Sequence, residues 1–179
     1  MEQQAKQVIL CDSEDTSIHD VTCYICEESM EMSKKYIEHL HLHHRYDQVT
    51  PDITLDTFLR TQTIVRQFQD YWMNALLPVD ALEETKFINM HCCNLLQERE
   101  DVYENMRIQF LQGGAITGHK LFKLSQTVFE DKVNWGRMIA VFAFGAKLMH
   151  YFREQKEVCT LHMLTSWLIH VLLQCIHDL

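Results

Sequence analysis

Between positions 135 and 152 only Arg137, Lys147 and His150 carry side chains able to hold a charge; the rest are Trp, Gly, Met, Ile, Ala, Val, Phe, Leu or Tyr. A helix that is apolar on every side has to be enclosed, by lipid or by protein. The run reaches the roughly 18 residues of a minimal span only if Arg137 and Lys147 are included, and both would be costly in a hydrocarbon layer. The stretch therefore reads as the buried central helix of an all-α domain, and the rest of the chain must supply the helices around it. Gly136 removes a side chain from its first turn, where another backbone could come close. Arg137 stands where the helix leaves the core, so its guanidinium can reach a carboxylate at the rim.

The surrounding helices are visible as stripes. Phe58, Thr61, Val65, Phe68, Trp72 and Ala75 recur at helical spacing and stop near Pro78. Asp52, Thr54 or Asp56 could cap the start of that helix. A second helical region from 82 to 110 carries Phe87, Asn94 or Leu95, Val102 and Met106. Gln112-Gly113-Gly114 reads as a turn. Leu121, Leu124, Val128 and Phe129 then give a short amphipathic helix that ends at Glu130-Asp131. Beyond a hydrophilic turn at 153–157, Leu161, Leu164, Leu168, Val171 or Leu172, and Cys175 stripe a last helix. With only two Pro and five Gly, the chain suits helices better than a loop-rich sandwich. The expectation is a bundle of about six helices over 52–179.

A separate module precedes it. Residues 1–19 lack periodicity and are polar, as in a flexible tail. Within 20–47, Cys23 and Cys26 are followed after twelve residues by His39, with His43 four positions further on. This is Cys-Cys-His-His zinc-finger spacing. A hairpin would bring two thiolates together, and a helix would present two imidazoles one turn apart on one face. Met30 and Tyr36 fall where such a ββα module keeps its small core. His44 could replace His43 as fourth ligand, and an incidentally His-rich amphipathic helix with buried thiols would share the pattern. Bound zinc would supply the folding free energy that so small a module lacks.

Nucleic acid is a poor fit for this finger. Lys34, Lys35 and Arg45 stand against Asp20, Glu27, Glu28, Glu31, Glu38 and Asp47. The positions that would face bases, Met32, Lys35 and Glu38, include no Arg, Asn or Gln for bidentate readout. The net charge of −9 likewise argues against broad attraction to phosphate backbones or anionic membranes. A structural or protein-docking finger is expected. No secretory signal is evident, so the chain is expected in the cytoplasm, with the nucleus or the mitochondrial periphery as further sites. The seven Cys are then read as thiols or metal ligands. No phosphate-binding loop, nucleophile elbow or zinc-protease motif is present, and nothing suggests an enzyme. His162, His170 and His177 read as ordinary rim residues of the last helix.

Asn134-Trp135-Gly136-Arg137, followed by Ile-Ala-Val-Phe-Ala-Phe-Gly-Ala from position 139, resembles the homology-1 motif of the Bcl-2 family of apoptosis regulators. Local agreement runs from about 121 to 152 and includes the acidic pair Glu130-Asp131; back to Phe58 the agreement is architectural. The segment at 95–101 occupies the place of the homology-3 region. There Glu98 and Arg99 replace the small residue and Gly that would let a killer helix pack into another member's groove. The homology-2 Trp and Gly-Gly-Trp pattern and the membrane anchor are missing from the sequence.

The resemblance implies a Bcl-2-like bundle around the central helix that binds an amphipathic homology-3 helix of a pro-death relative, more in a survival role than a killing one. The groove would be walled by the helices at 95–110 and 121–129 and floored by the start of the central helix. Val102, Met106, Phe110, Leu121, Leu124 and Val128 would make the apolar contacts. Gly136 would admit the guest backbone, Asn134 would donate a hydrogen bond, and Arg137 would pair with a guest carboxylate or, alternatively, with Glu130 or Asp131. Trp135 is expected in the core. A homodimer is compatible with the same pattern. The alternative is an interaction scaffold or nuclear regulator that keeps the fold and docks partners through the finger.

Overall fold

A computed structural model describes residues 20–22, 29–31 and 54–178. Two short strands, β1 (Asp20–Thr22) and β2 (Ser29–Glu31), pair antiparallel with Val21 opposite Met30. Among the described residues six helices follow: α1 (Leu55–Asn74), α2 (Glu83–Glu98), α3 (Glu100–Gln112), α4 (Gly118–Phe129), α5 (Trp135–Gln155) and α6 (Val158–Asp178). The hairpin alone does not make the expected ββα module. Cys23, Cys26, His39 and His43 all lie outside the described residues.

The helical boundaries follow local chemistry. Thr54 Oγ1 accepts from the Thr57 amide at 3.2 Å, Thr117 Oγ1 from Lys120 at 3.3 Å, and Asn134 Oδ1 from Arg137 at 2.9 Å. Each side-chain oxygen thus satisfies an amide that has no partner within its helix. Helix α2 has no cap of its own; Gln67 of α1 supplies one, its Oε1 accepting from the Leu82 amide at 3.0 Å and from Thr85 Oγ1 at 2.9 Å. Lys120 of α4 donates to the carbonyls of Phe110 and Gly114 at 3.1 and 3.2 Å, closing the C-terminal end of α3.

Helix α5 touches each of the other five helices. That enclosure is why it can be apolar all round: Met138, Ile139, Val141 to Ala146, Leu148, Met149 and Phe152 are buried on every side of it. Each fully buried Met, Leu or Phe contributes about 1.5–3 kcal/mol of transfer free energy. Phe142 meets the Phe68 ring edge-on at 5.1 Å, which locks α1 against α5. Gly145 sets the distance between α5 and α6, since a methyl group on it would lie 3.1 Å from both Leu168 δ carbons. Helix α6 is long and apolar enough, by length and composition, to cross a membrane, but 72% of its apolar window is buried in the bundle. Inside it, Trp167 Nε1 donates to Ser125 Oγ of α4 at 2.7 Å, so the buried indole is satisfied.

Three expectations need correction. Trp135 is not core: it is 49% exposed and faces a cavity on the far side of α2. As the first residue of α5 it precedes the part of the helix that α1 to α4 enclose. His170 is no rim residue but fully buried, because its position on α6 faces inward. Cys159 is disulfide-bonded rather than a thiol, whereas Cys92, Cys93 and Cys175 keep their thiols. Burial among apolar neighbours pushes the Cys92 thiol far up, so it stays protonated.

Candidate functional site: an apolar groove between α2, α3, α4 and α5

Helix α3 is the least enclosed of the six; Tyr103 is its one buried residue, and Val102, Met106 and Ile108 are exposed. It leaves α2 at Arg99, whose backbone (φ −133°, ψ 33°) breaks the helical path. Beside this break lies a groove of ≈ 320 Å³. One wall is Leu95, Arg99, Val102, Tyr103 and Met106; the other is Leu124 and Val128 of α4; the floor is Ala140, Val141 and Phe144 of α5. An exposed apolar concavity of this kind, with few polar groups, is how proteins receive another apolar surface.

The far side of α3 is held electrostatically. Lys147 of α5 reaches Glu100 at 3.3 Å and Glu104 at 3.8 Å. Glu104 also pairs with Arg107, whose guanidinium lies 4.5 Å from the centre of the Tyr151 ring. The Arg107 guanidinium beside Glu104 holds its carboxyl below the usual range, and the Glu104 bond raises Arg107 in turn. Tyr103 Oη donates to the Ala140 carbonyl at 3.5 Å, and burial pushes its pKa up to about 12.

Of the residues expected at a partner site, Val102, Met106, Leu124 and Val128 line this groove together. Leu121 is fully buried beneath it as core. Phe110 is half-buried past the end of the groove, edge-on to Phe144 at 5.4 Å. Arg137 lies one helical turn before Ala140 and Val141, on the same face of α5. It donates to Asp131 Oδ2 at 3.2 Å and to the Lys132 carbonyl at 3.0 Å. Asn134 spends its oxygen on the α5 cap, leaving Nδ2 as its donor. Gly136 is open: a methyl group there would meet nothing within 4 Å except Asn134 Oδ1 at 3.3 Å.

The sequence reading missed Arg99, Tyr103, Ala140, Val141 and Phe144 as lining. Two spacings carried the information. Leu95, Arg99, Val102 and Met106 follow one another at intervals of four, three and four, a single helical stripe. Arg137, Val141 and Phe144 do the same along α5, which extends the face that Arg137 marks.

A second cavity, of ≈ 1060 Å³, lies among α1, α2, the start of α5 and the end of α6, where Phe87, Met90, Trp135 and Ile176 face it beneath the Arg60–Glu84 ion pair. Among the described residues no group of His, Cys, Asp or Glu is placed to hold a metal ion.

Among the described residues, five helices wrapped round a buried apolar one, with a surface groove at the start of that helix, make an all-α bundle. Residues 90–178, from the middle of α2 to the end of α6, match the family described as apoptosis regulator proteins, Bcl-2 family. No curated protein and no solved structure matches the chain.

Proposed function

We propose that the protein is a pro-survival apoptosis regulator that holds the amphipathic homology-3 helix of a pro-death relative in the groove between α2, α3, α4 and α5. One observation carries the reading: around the segment that matches the Bcl-2 family, four helices converge on an apolar groove whose lining leaves Val102 and Met106 exposed. A guest helix with apolar residues at i, i+3 or i+4, and i+7 would cover them. The Arg137–Asp131 pair does not oppose this. Asp131 is 84% exposed, and such a pair is worth about 0–1 kcal/mol, so a guest carboxylate arriving with its own desolvating surface can displace it. Gly136 would then leave room for the guest backbone, and Asn134 Nδ2 would be the nearby donor.

The test is calorimetric titration of homology-3 peptides into the wild-type protein and Arg137→Ala. Submicromolar binding that weakens about tenfold or more in the variant supports the reading. No binding by any peptide overturns it. That result would favour a second reading, which the existing Arg137–Asp131 and Arg137–Lys132 bonds recommend. In it, the arginine only staples the α4–α5 connection, and the bundle is a scaffold or nuclear regulator whose partner docks at the finger. In either case we propose one zinc ion on Cys23, Cys26, His39 and His43, and, for the pro-survival reading, action from the cytoplasm.

A further inference from the structure

Arg99 is the one charged residue among the ten that line the groove. It occupies a place on the Leu95–Val102–Met106 stripe where helical periodicity calls for an apolar side chain. Among the described residues it makes no ion pair, while on α3 Glu100 and Glu104 face Lys147, and Glu104 also holds Arg107. Arg137 is in the opposite condition. It lies outside the lining and is already bonded to Asp131 and Lys132. A chain with a net charge of −9 thus exposes, inside its apolar groove, a guanidinium and no carboxylate.

Resting on the reading of the groove as a helix receiver, we propose that Arg99 selects partners by pairing with an acidic side chain beside the guest's apolar stripe. This contact would be distinct from the one expected of Arg137. Apolar walls on both sides lower the effective dielectric and exclude water once a guest is seated, so the pair gains over a surface one. The planar fork of arginine accepts a carboxylate in two hydrogen bonds, which fixes the guest's register along the α2–α3 wall as well as its identity. The competing role is packing, in which the aliphatic stem of Arg99 covers Leu95 and Val102 while the head stays in water.

Calorimetry with a peptide set separates these roles. An amphipathic helical peptide with fixed apolar anchors is made with Glu or Lys scanned through each polar position flanking the stripe. Each peptide is titrated into wild type, Arg99→Gln and Arg99→Glu, with thermal melts checking that all three fold. In the wild type, Glu should beat Lys by about tenfold at one flanking position, and by less at high salt. Arg99→Gln, which keeps most of the stem, should erase that preference, and Arg99→Glu should reverse it there and nowhere else. Peptides that bind with the same Glu-to-Lys ratio in all three proteins would overturn the role of Arg99 and leave the groove intact. Failure of every peptide to bind the wild type would overturn both.

Discussion

His170 offers a test of the packing that needs no partner. Its imidazole is fully buried on α6, and burial alone, by penalising the charged form, drives its pKa down from 6.5 to about 3. The unfolded chain would take up a proton near 6.5 while the folded one refuses it. Between those two values the unfolded state binds more protons, so stability is full above about pH 6.5 and falls as the pH drops towards 3, by about 1.4 kcal/mol per unit. At a pH of about 4.5 the accumulated loss from this one residue is roughly 2.7 kcal/mol. For a domain whose total stability is about 5–15 kcal/mol, that is a large share. Urea unfolding of the wild type and of His170→Leu, followed by tryptophan fluorescence from neutral pH downward, isolates it. Carboxylates titrate in both proteins, and any constant gain or loss from the leucine shifts the whole curve, so the difference in slope belongs to the imidazole. The wild type should lose between about 2 and 3 kcal/mol more than the variant by about pH 4.5. Parallel curves would refute the argument, since they would mean the histidine charges without unfolding the bundle.

Ser125→Ala should destabilise by about 1–3 kcal/mol in chemical denaturation, because it strands the buried Trp167 Nε1–H; adding Trp167→Phe should cost less than the sum of the two single changes if that bond is the cause. Gly136→Ala should melt within about 5 °C of the wild type, its new methyl group meeting only the Asn134 side chain, while homology-3 peptides bind at least about tenfold more weakly; equal binding would show that no guest backbone comes near. Lys147→Met should change global stability by less than about 1 kcal/mol, since Glu100 is 76% exposed, yet it should speed amide exchange in α3 at low salt; unchanged exchange would mean that α3 is held by Tyr103 alone. Metal analysis of the purified protein should find about one zinc per chain, and none in Cys23→Ser; wild-type protein free of zinc would dismiss the finger.

What could be read from the sequence is what burial dictates. Positions 135–152 had to be enclosed, and α5 is; the Phe58, Thr61, Val65 and Phe68 stripe is buried, as are Leu161, Leu164, Leu168 and Cys175 of α6. The misreadings came from places where a polar or aromatic type predicts the wrong side of the surface. Tryptophan is commonly buried, but Trp135 opens α5 and stands beyond the helices that cover it. Histidine is commonly exposed, but the inward face of α6 is set by the stripe, and His170 lies one residue before Val171 and two after Leu168 on it.

The groove was half legible for a related reason. A wall such as Val102 and Met106 announces itself as apolar residues on a helix with little else to bury them. A floor such as Ala140, Val141 and Phe144 is marked only by Arg137 one turn earlier, because within an all-apolar run periodicity vanishes and every face looks alike. Only the partners settle which face is left uncovered, and here they do so through the backbone break at Arg99. The residue that breaks the helix is also the one charge on the stripe. The position at which the helix breaks is therefore the position best placed to test what enters the groove.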